Sequence, residues 1–208
     1  MDARIAVLAS GTGTNLQALL DDPLIGLQVA LVVSDRPGAL ALERARGRGV
    51  KAVVLEPSHY SSREGFDRAL TALLEEEAIE FVLLAGYMRI LGAHTVQAFR
   101  ERILNVHPSL LPTFPGAHPV RDALAWGTKI TGATVHLVDE DVDHGPIVLQ
   151  EPVLVLPEDD ERSLHQRIQT VEHRLFPRAA RLLTEGRLKV EGRLVHIIGE
   201  ELEPVSGP

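Results

Sequence analysis

Asn105 and His107 stand two residues apart, and an apolar run, Ile103-Leu104, leads into them. A proline-punctuated stretch, Pro108-Ser109-Leu110-Leu111-Pro112, follows at once. Along an extended strand, positions i and i+2 point to the same face. An amide and an imidazole therefore project together at the end of a strand. In open α/β sheets, that end is where ligands sit. The pair suits transfer of an acyl or formyl group, because one side chain can hold a developing oxyanion while the other moves or supplies a proton. For such a pair in isolation the plain alternative is a strand end with a capping Asn and a buried His, so other residues must decide.

A second candidate is Ser10-Gly11-Thr12-Gly13-Thr14-Asn15. It follows a short apolar run and precedes a helical one. Glycines let backbone approach a ligand, and a helix N-terminus offers free N–H groups to an anion. The segment reads as a phosphate cradle; the alternative is a tight turn with Thr14 as the helix cap. It lacks the Lys of an ATP-binding loop, and Leu16 stands where a dinucleotide fingerprint needs its third Gly. A third candidate, Gly86-Tyr87-Met88-Arg89-Ile90-Leu91, follows another apolar run, and Met88, Ile90 and Leu91 could wall a flat aromatic ligand. The acidic loop Asp139-Glu140-Asp141-Val142-Asp143-His144 lacks the spacing of a calcium loop. Its default is a solvated turn. The sharper reading turns one carboxylate inward to pair with His107, raising the imidazole pKa and setting its tautomer.

These residues need a scaffold. Apolar runs at residues 5–9, 29–33, 52–55 and 81–84 alternate with helical spacing at 15–20, 39–48 and 63–77. That order, with nearly continuous apolar strands, predicts an α/β fold with a mostly parallel sheet and helices on both faces. The second half predicts strands at 103–106, 133–138 and 147–155, the last with a turn at Glu151-Pro152. It also predicts a helical piece at 123–126, a long helix at 163–183 kinked or broken at Pro177, and a hairpin over 188–198. A single domain over residues 1–208 is expected, its phosphate-binding half about 1–100 and its catalytic half about 101–208.

Composition narrows the class. The 208 residues can bury a real core. Net charge is −8, which argues against a nucleic-acid partner. There is no Cys, so thiol nucleophiles and Cys-ligated metals are excluded. Nine His are present, but none lies in a metal-binding spacing, and no metal is expected. No signal-peptide layout and no run of the ~20 apolar residues that spans a bilayer is present, so the expected location is cytoplasmic, away from membranes. Glu172 and His173 fall on the long helix, where a solvated face is the default.

Together, Ser10–Asn15, Gly86–Leu91, Asn105–Pro112 and the segment 143–146 resemble, in order and spacing, the phosphoribosylglycinamide formyltransferases, folate-dependent enzymes of purine biosynthesis. The resemblance covers about residues 4–190 and implies a Rossmann-like formyltransferase fold. It implies direct formyl transfer from 10-formyltetrahydrofolate to the amine of glycinamide ribonucleotide, without a metal. By matching position it makes Asn105, His107 and Asp143 the catalytic trio, with His107 protonated and Asp143 holding it so. Gly13, Thr14 and Asn15 match phosphate-binding positions, and Glu172 matches a ribose contact. Arg63, Met88, Arg89, Ile90, Leu91 and Asn105 match folate-binding positions, with the 138–143 loop wrapping the pteridine. Monomer and homodimer both stay open. His144 stands where a small residue is usual and is expected to leave the chemistry alone. Methionyl-tRNA formyltransferase and formyltetrahydrofolate deformylase resemble the chain around the trio but carry extra domains. A nucleotide-sensing module would have no need of a proton-handling trio.

Overall fold

A computed structural model describes residues 3–199; positions 1, 2 and 200–208 of the expected domain lie outside it. Seven strands form one sheet in the order β3-β2-β1-β4-β5-β6-β7. These are β1 (Ile5–Leu8), β2 (Val29–Ser34), β3 (Lys51–Val54), β4 (Phe81–Leu84), β5 (Ile103–His107), β6 (Ile130–Leu137) and β7 (Ile147–Leu154). The first five pair in parallel, while β6 runs antiparallel to β5 and β7 antiparallel to β6. The sheet is thus mostly parallel, as the alternating strand and helix runs predict.

Strand side chains alternate between two apolar layers. Ile5, Val7 and Ala9 pack on one face with helices α1 (Thr14–Asp21), α3 (Leu40–Gly47), α6 (Pro119–Trp126) and α7 (Glu161–Thr184). Ala6 and Leu8 pack on the other with α4 (Arg63–Glu76). Burial on both faces explains why these strands read as unbroken apolar runs rather than alternating ones. Two short helices, α2 (Ile25–Gln28) and α5 (Ala93–Ala98), carry too few turns to show a period in the sequence. The hairpin β8 (Leu188–Glu191) and β9 (Leu194–Ile197) forms where expected.

Two expectations are corrected. β7 passes through Glu151-Pro152 without a turn, with Pro152 opposite Gly132. It is an edge strand, where a missing N–H leaves no inner neighbour unpaired. Of the kink or break expected at Pro177, the break does not occur: helix α7 is continuous through this buried residue, and packing of a 24-residue helix outweighs the one lost hydrogen bond. Among the described residues, no helix is long and apolar enough to cross a membrane.

Strand order reverses between β1 and β4, so the loops after them diverge and leave a crevice at the carboxyl ends. The loop after β5 lies beside the same crevice.

Candidate functional site

The crevice is an open cavity of about 650 Å³. It is lined by Gly13, Thr14 and Asn15 after β1, Met88, Arg89, Ile90 and Leu91 after β4, Asn105 and His107 on β5, Asp143 after β6, and Glu172 on α7. All the expected site residues except Arg63 therefore share one cavity. Arg63 lines a flanking groove that also contains Met88–Leu91, and its guanidinium donates to the Ile90 carbonyl at 3.3 Å.

At the centre, Asp143 Oδ2 lies 3.4 Å from His107 Nδ1. The same oxygen accepts from the Gly116 N–H at 2.8 Å. Asp143 Oδ1 lies 3.4 Å from Asn105 Nδ2 and 3.7 Å from His136 Nε2. Asp141, in contrast, points outward, with its side chain 82% exposed. The inward carboxylate is thus Asp143.

Backbone carbonyls assign the imidazole tautomers. His107 Nε2 lies 2.9 Å from the Phe114 carbonyl, which can only accept, so Nε2 carries the proton. In the neutral ring, Nδ1 then faces the Asp143 carboxylate with a lone pair. His136 Nδ1 lies 2.8 Å from the Leu137 carbonyl and must donate. Its Nε2 is left to accept from Asn105 Nδ2 at 3.1 Å. His136 thereby sets the orientation of the Asn105 amide.

The electrostatics correct one expectation. Asp143 does push the His107 pKa up, but desolvation is the larger effect, and the net result lies below the ordinary imidazole value. At rest and neutral pH, His107 is neutral rather than charged. Burial pushes Asp143 up, yet contact with His136, the Gly116 N–H and the neighbouring His107 imidazole together hold it below the usual carboxylate value. The carboxylate is therefore ionised and waits beside an unprotonated Nδ1.

At the cradle, Gly13 is the N-cap of α1 in the left-handed region, at φ 71°. A Cβ there would sit 2.8 Å from Ala41 on α3, so both backbone and packing require glycine. Thr14 is the first helical residue and makes no side-chain cap, which disposes of the capping alternative. Its hydroxyl instead accepts from Gln169 Nε2 at 3.3 Å. Asn15 is buried, and its Nδ2 donates to Glu172 Oε2 at 2.9 Å. Asn15 Oδ1 is buried without a partner among the described residues. Glu172 is 3% exposed, not on a solvated face, and burial pushes its pKa up.

In the third wall, Met88 and Ile90 are 60% and 56% exposed to the cavity side rather than packed in the core. The Met88 N–H donates to Ser10 Oγ at 2.9 Å, tying this wall to the cradle. Arg89 turns away from the centre, its guanidinium 5.3 Å above the Phe66 ring and 4.0 Å from Asp35. Among the described residues, no three acidic or imidazole side chains are grouped to hold a metal ion.

His136, Gln169 and the carbonyl of Phe114 were missed from the sequence. For His136 a signal existed: Thr134 and His136 alternate with Ala133, Val135 and Leu137 at the end of a buried strand, and they pair across to His107 and Asn105. Two polar residues at i and i+2 on a buried strand mark a face that meets something polar.

Known proteins resemble this chain along most of its length. The formyl transferase family model matches residues 3–180. The chain is 46% identical to phosphoribosylglycinamide formyltransferase of Mycobacterium tuberculosis strain H37Rv, over 92% of this chain and 89% of that protein. It is 48% identical to the trifunctional purine biosynthetic protein adenosine-3 of Drosophila melanogaster over 88% of this chain, but spans only 14% of that protein's length. It superposes on the crystal structure of glycinamide ribonucleotide transformylase 1 from Symbiobacterium toebii with a TM-score of 0.91 at 51% identity, covering 94% of this chain and 93% of the other. A family match over most of the chain, and relatives matched along nearly their whole length, make the chain a member of the formyl transferase family.

Proposed function

We propose that the protein transfers the formyl group of 10-formyltetrahydrofolate to the primary amine of glycinamide ribonucleotide, giving formylglycinamide ribonucleotide in purine biosynthesis. The observation that carries this reading is the Asn105, His107, His136 and Asp143 cluster at the carboxyl end of β5, in one cavity with a glycine-rich helix start.

The ribonucleotide phosphate lies on the N–H groups around Gly13 and Thr14, where the α1 dipole favours an anion. Its ribose reaches Glu172, whose carboxylate is desolvated and short of donors. The folate pterin sits between Met88–Leu91 and the 138–143 loop, which supply an apolar wall and backbone polar groups. Arg63, in the flanking groove, takes the folate's carboxylate tail. A location in the cytoplasm follows from two charged substrates that do not cross a bilayer unaided.

The reaction needs no covalent enzyme intermediate. The amine nitrogen attacks the formyl carbon, a new C–N bond forms, and the carbonyl oxygen becomes an oxyanion. Asn105 offers the N–H that Asp143 holds only loosely, at 3.4 Å. His107 Nε2 is already a donor, occupied by the Phe114 carbonyl, so the substrate oxygen replaces that carbonyl on binding. The amine loses a proton to the neutral Nδ1 of His107, directly or through one water. The new imidazolium then faces the ionised Asp143. As the tetrahedral species collapses, the bond to folate N10 breaks, and N10 receives the proton, restoring neutral His107.

The test is steady-state turnover with glycinamide ribonucleotide and 10-formyltetrahydrofolate, followed by folate absorbance. Saturable turnover in both substrates supports the reading. Formate release that does not depend on the ribonucleotide would replace it with a deformylase.

A further inference from the structure

The turn of the β8–β9 hairpin reaches the loop that carries Asp143. Arg193 at this turn donates through Nη2 to the His144 backbone carbonyl at 2.7 Å. Its Nη1 lies 3.1 Å from His144 Nε2. His144 Nδ1 lies 2.9 Å from Asp139 Oδ2, and Asp139 Oδ1 accepts the Asp141 N–H at 3.1 Å. A neutral imidazole satisfies every one of these contacts, accepting at Nε2 and donating from Nδ1. The result is a chain from guanidinium to imidazole to carboxylate to loop backbone, and it spans the loop between Asp139 and His144.

A second feature at this place calls for such a clamp. Asp143 has φ 52°, in the left-handed region that a non-glycine residue enters at a cost. Such a conformation persists only where the surroundings over-determine it. On one side the Gly116 N–H holds the Asp143 carboxylate. On the other, Arg193 grips both the carbonyl and the ring of the very next residue. Gln97 on α5 adds a weaker tether through Glu140 at 3.2 Å.

We infer that Arg193, acting through His144, is a positioning residue that holds the 139–144 loop in its ligand-ready shape. It lines neither the central cavity nor the flanking groove. The inference rests on the proposed function in assigning this loop to the folate donor. If removal of the clamp lets the loop sample other shapes, the apparent affinity for the donor falls by the fraction of time that the loop is competent. Once the donor is bound the loop is again in place, so kcat changes little. The ribonucleotide cradle, at the start of α1, is untouched.

The test compares the parent, Arg193→Ala and Arg193→Lys. Arg193→Ala should raise the KM for 10-formyltetrahydrofolate about three- to tenfold, the net worth of one ordinary hydrogen bond at an exposed site. The KM for glycinamide ribonucleotide and kcat should stay within twofold. Arg193→Lys, which keeps the charge but not the fork, should recover part of the loss. In ligand-free protein, amide exchange of residues 139–144 should be faster in Arg193→Ala and parent-like elsewhere in the sheet. An unchanged donor KM with unchanged exchange overturns the inference, and so does an equal rise in both KM values. A parent that exchanges as expected but does not turn over would refute the functional reading and leave the clamp standing.

Discussion

Asp143→Asn keeps the size of Asp143 but removes its charge and turns one of its two acceptor oxygens into a donor. The variant asks when that charge acts. In the resting site His107 is neutral, because burial outweighs the carboxylate. The attraction is therefore idle in the ground state and appears only as His107 takes up a proton. At 3.4 Å and an effective dielectric of ~20, a unit pair attracts by about 5 kcal/mol. Spreading both charges over two atoms each leaves roughly half of that. At ~1.4 kcal/mol per factor of ten, kcat should fall about 10²-fold, with KM values within a few-fold. The pH profile carries the sign. Asp143 raises the His107 pKa, so its neutralisation moves the His107 titration to lower pH, and the acidic limb of kcat/KM moves with it. Stopped-flow rates with both substrates saturating, across the pH range, measure both effects. A kcat within fivefold of the parent, or a loss confined to KM, would refute the idea that this carboxylate stabilises a charge born during transfer. Asp141 does not offer a second route, because it faces solvent.

Thr14→Val combined with Asn15→Leu should raise the KM for glycinamide ribonucleotide at least tenfold and leave donor binding nearly unchanged; calorimetric titration with each ligand separates the two, and equal losses would remove the phosphate from this cradle. Glu172→Gln should stabilise the protein, and the pH dependence fixes why. Burial raises the Glu172 pKa in the folded state, so its contribution is favourable below the unfolded carboxyl pKa and lost as pH rises through the folded one. The variant should thus melt higher than the parent at pH 8, by about 2–4 °C for each kcal/mol, and no higher at pH 4; a lower Tm at pH 8 would mean that Glu172 is held by groups other than Asn15. A tight-binding folate analogue should slow amide exchange in both 88–91 and 138–143, and protection limited to residues 10–20 would place the folate elsewhere.

The sheet was readable from the sequence because its strands are buried on both faces and its turns are marked by Gly and Pro. Asn105 and His107 were readable for a related reason: polar side chains at i and i+2 have no place on a buried strand unless something polar meets them. The partner strand carries the same signal in Thr134 and His136, but the antiparallel register that brings His136 to Asn105 is a long-range pairing that no local pattern encodes. The charge state of His107 was misjudged for a comparable reason. A nearby carboxylate is a local guess, whereas desolvation depends on the whole enclosure. Continuation through Pro152 and Pro177 was likewise a tertiary outcome, set by an edge position and by the packing of α7.

This cavity is proposed to move a formyl group from folate nitrogen to a ribonucleotide amine at Asn105, His107 and Asp143. The most direct measurement supplies 10-formyltetrahydrofolate labelled with ¹³C at the formyl carbon, together with glycinamide ribonucleotide, and follows the label by NMR. A ¹³C resonance of a secondary formamide on the glycinamide should appear in step with tetrahydrofolate, and should be lost with His107→Ala although the variant still binds the ribonucleotide. Label appearing as free formate, or full transfer by His107→Ala, would contradict it.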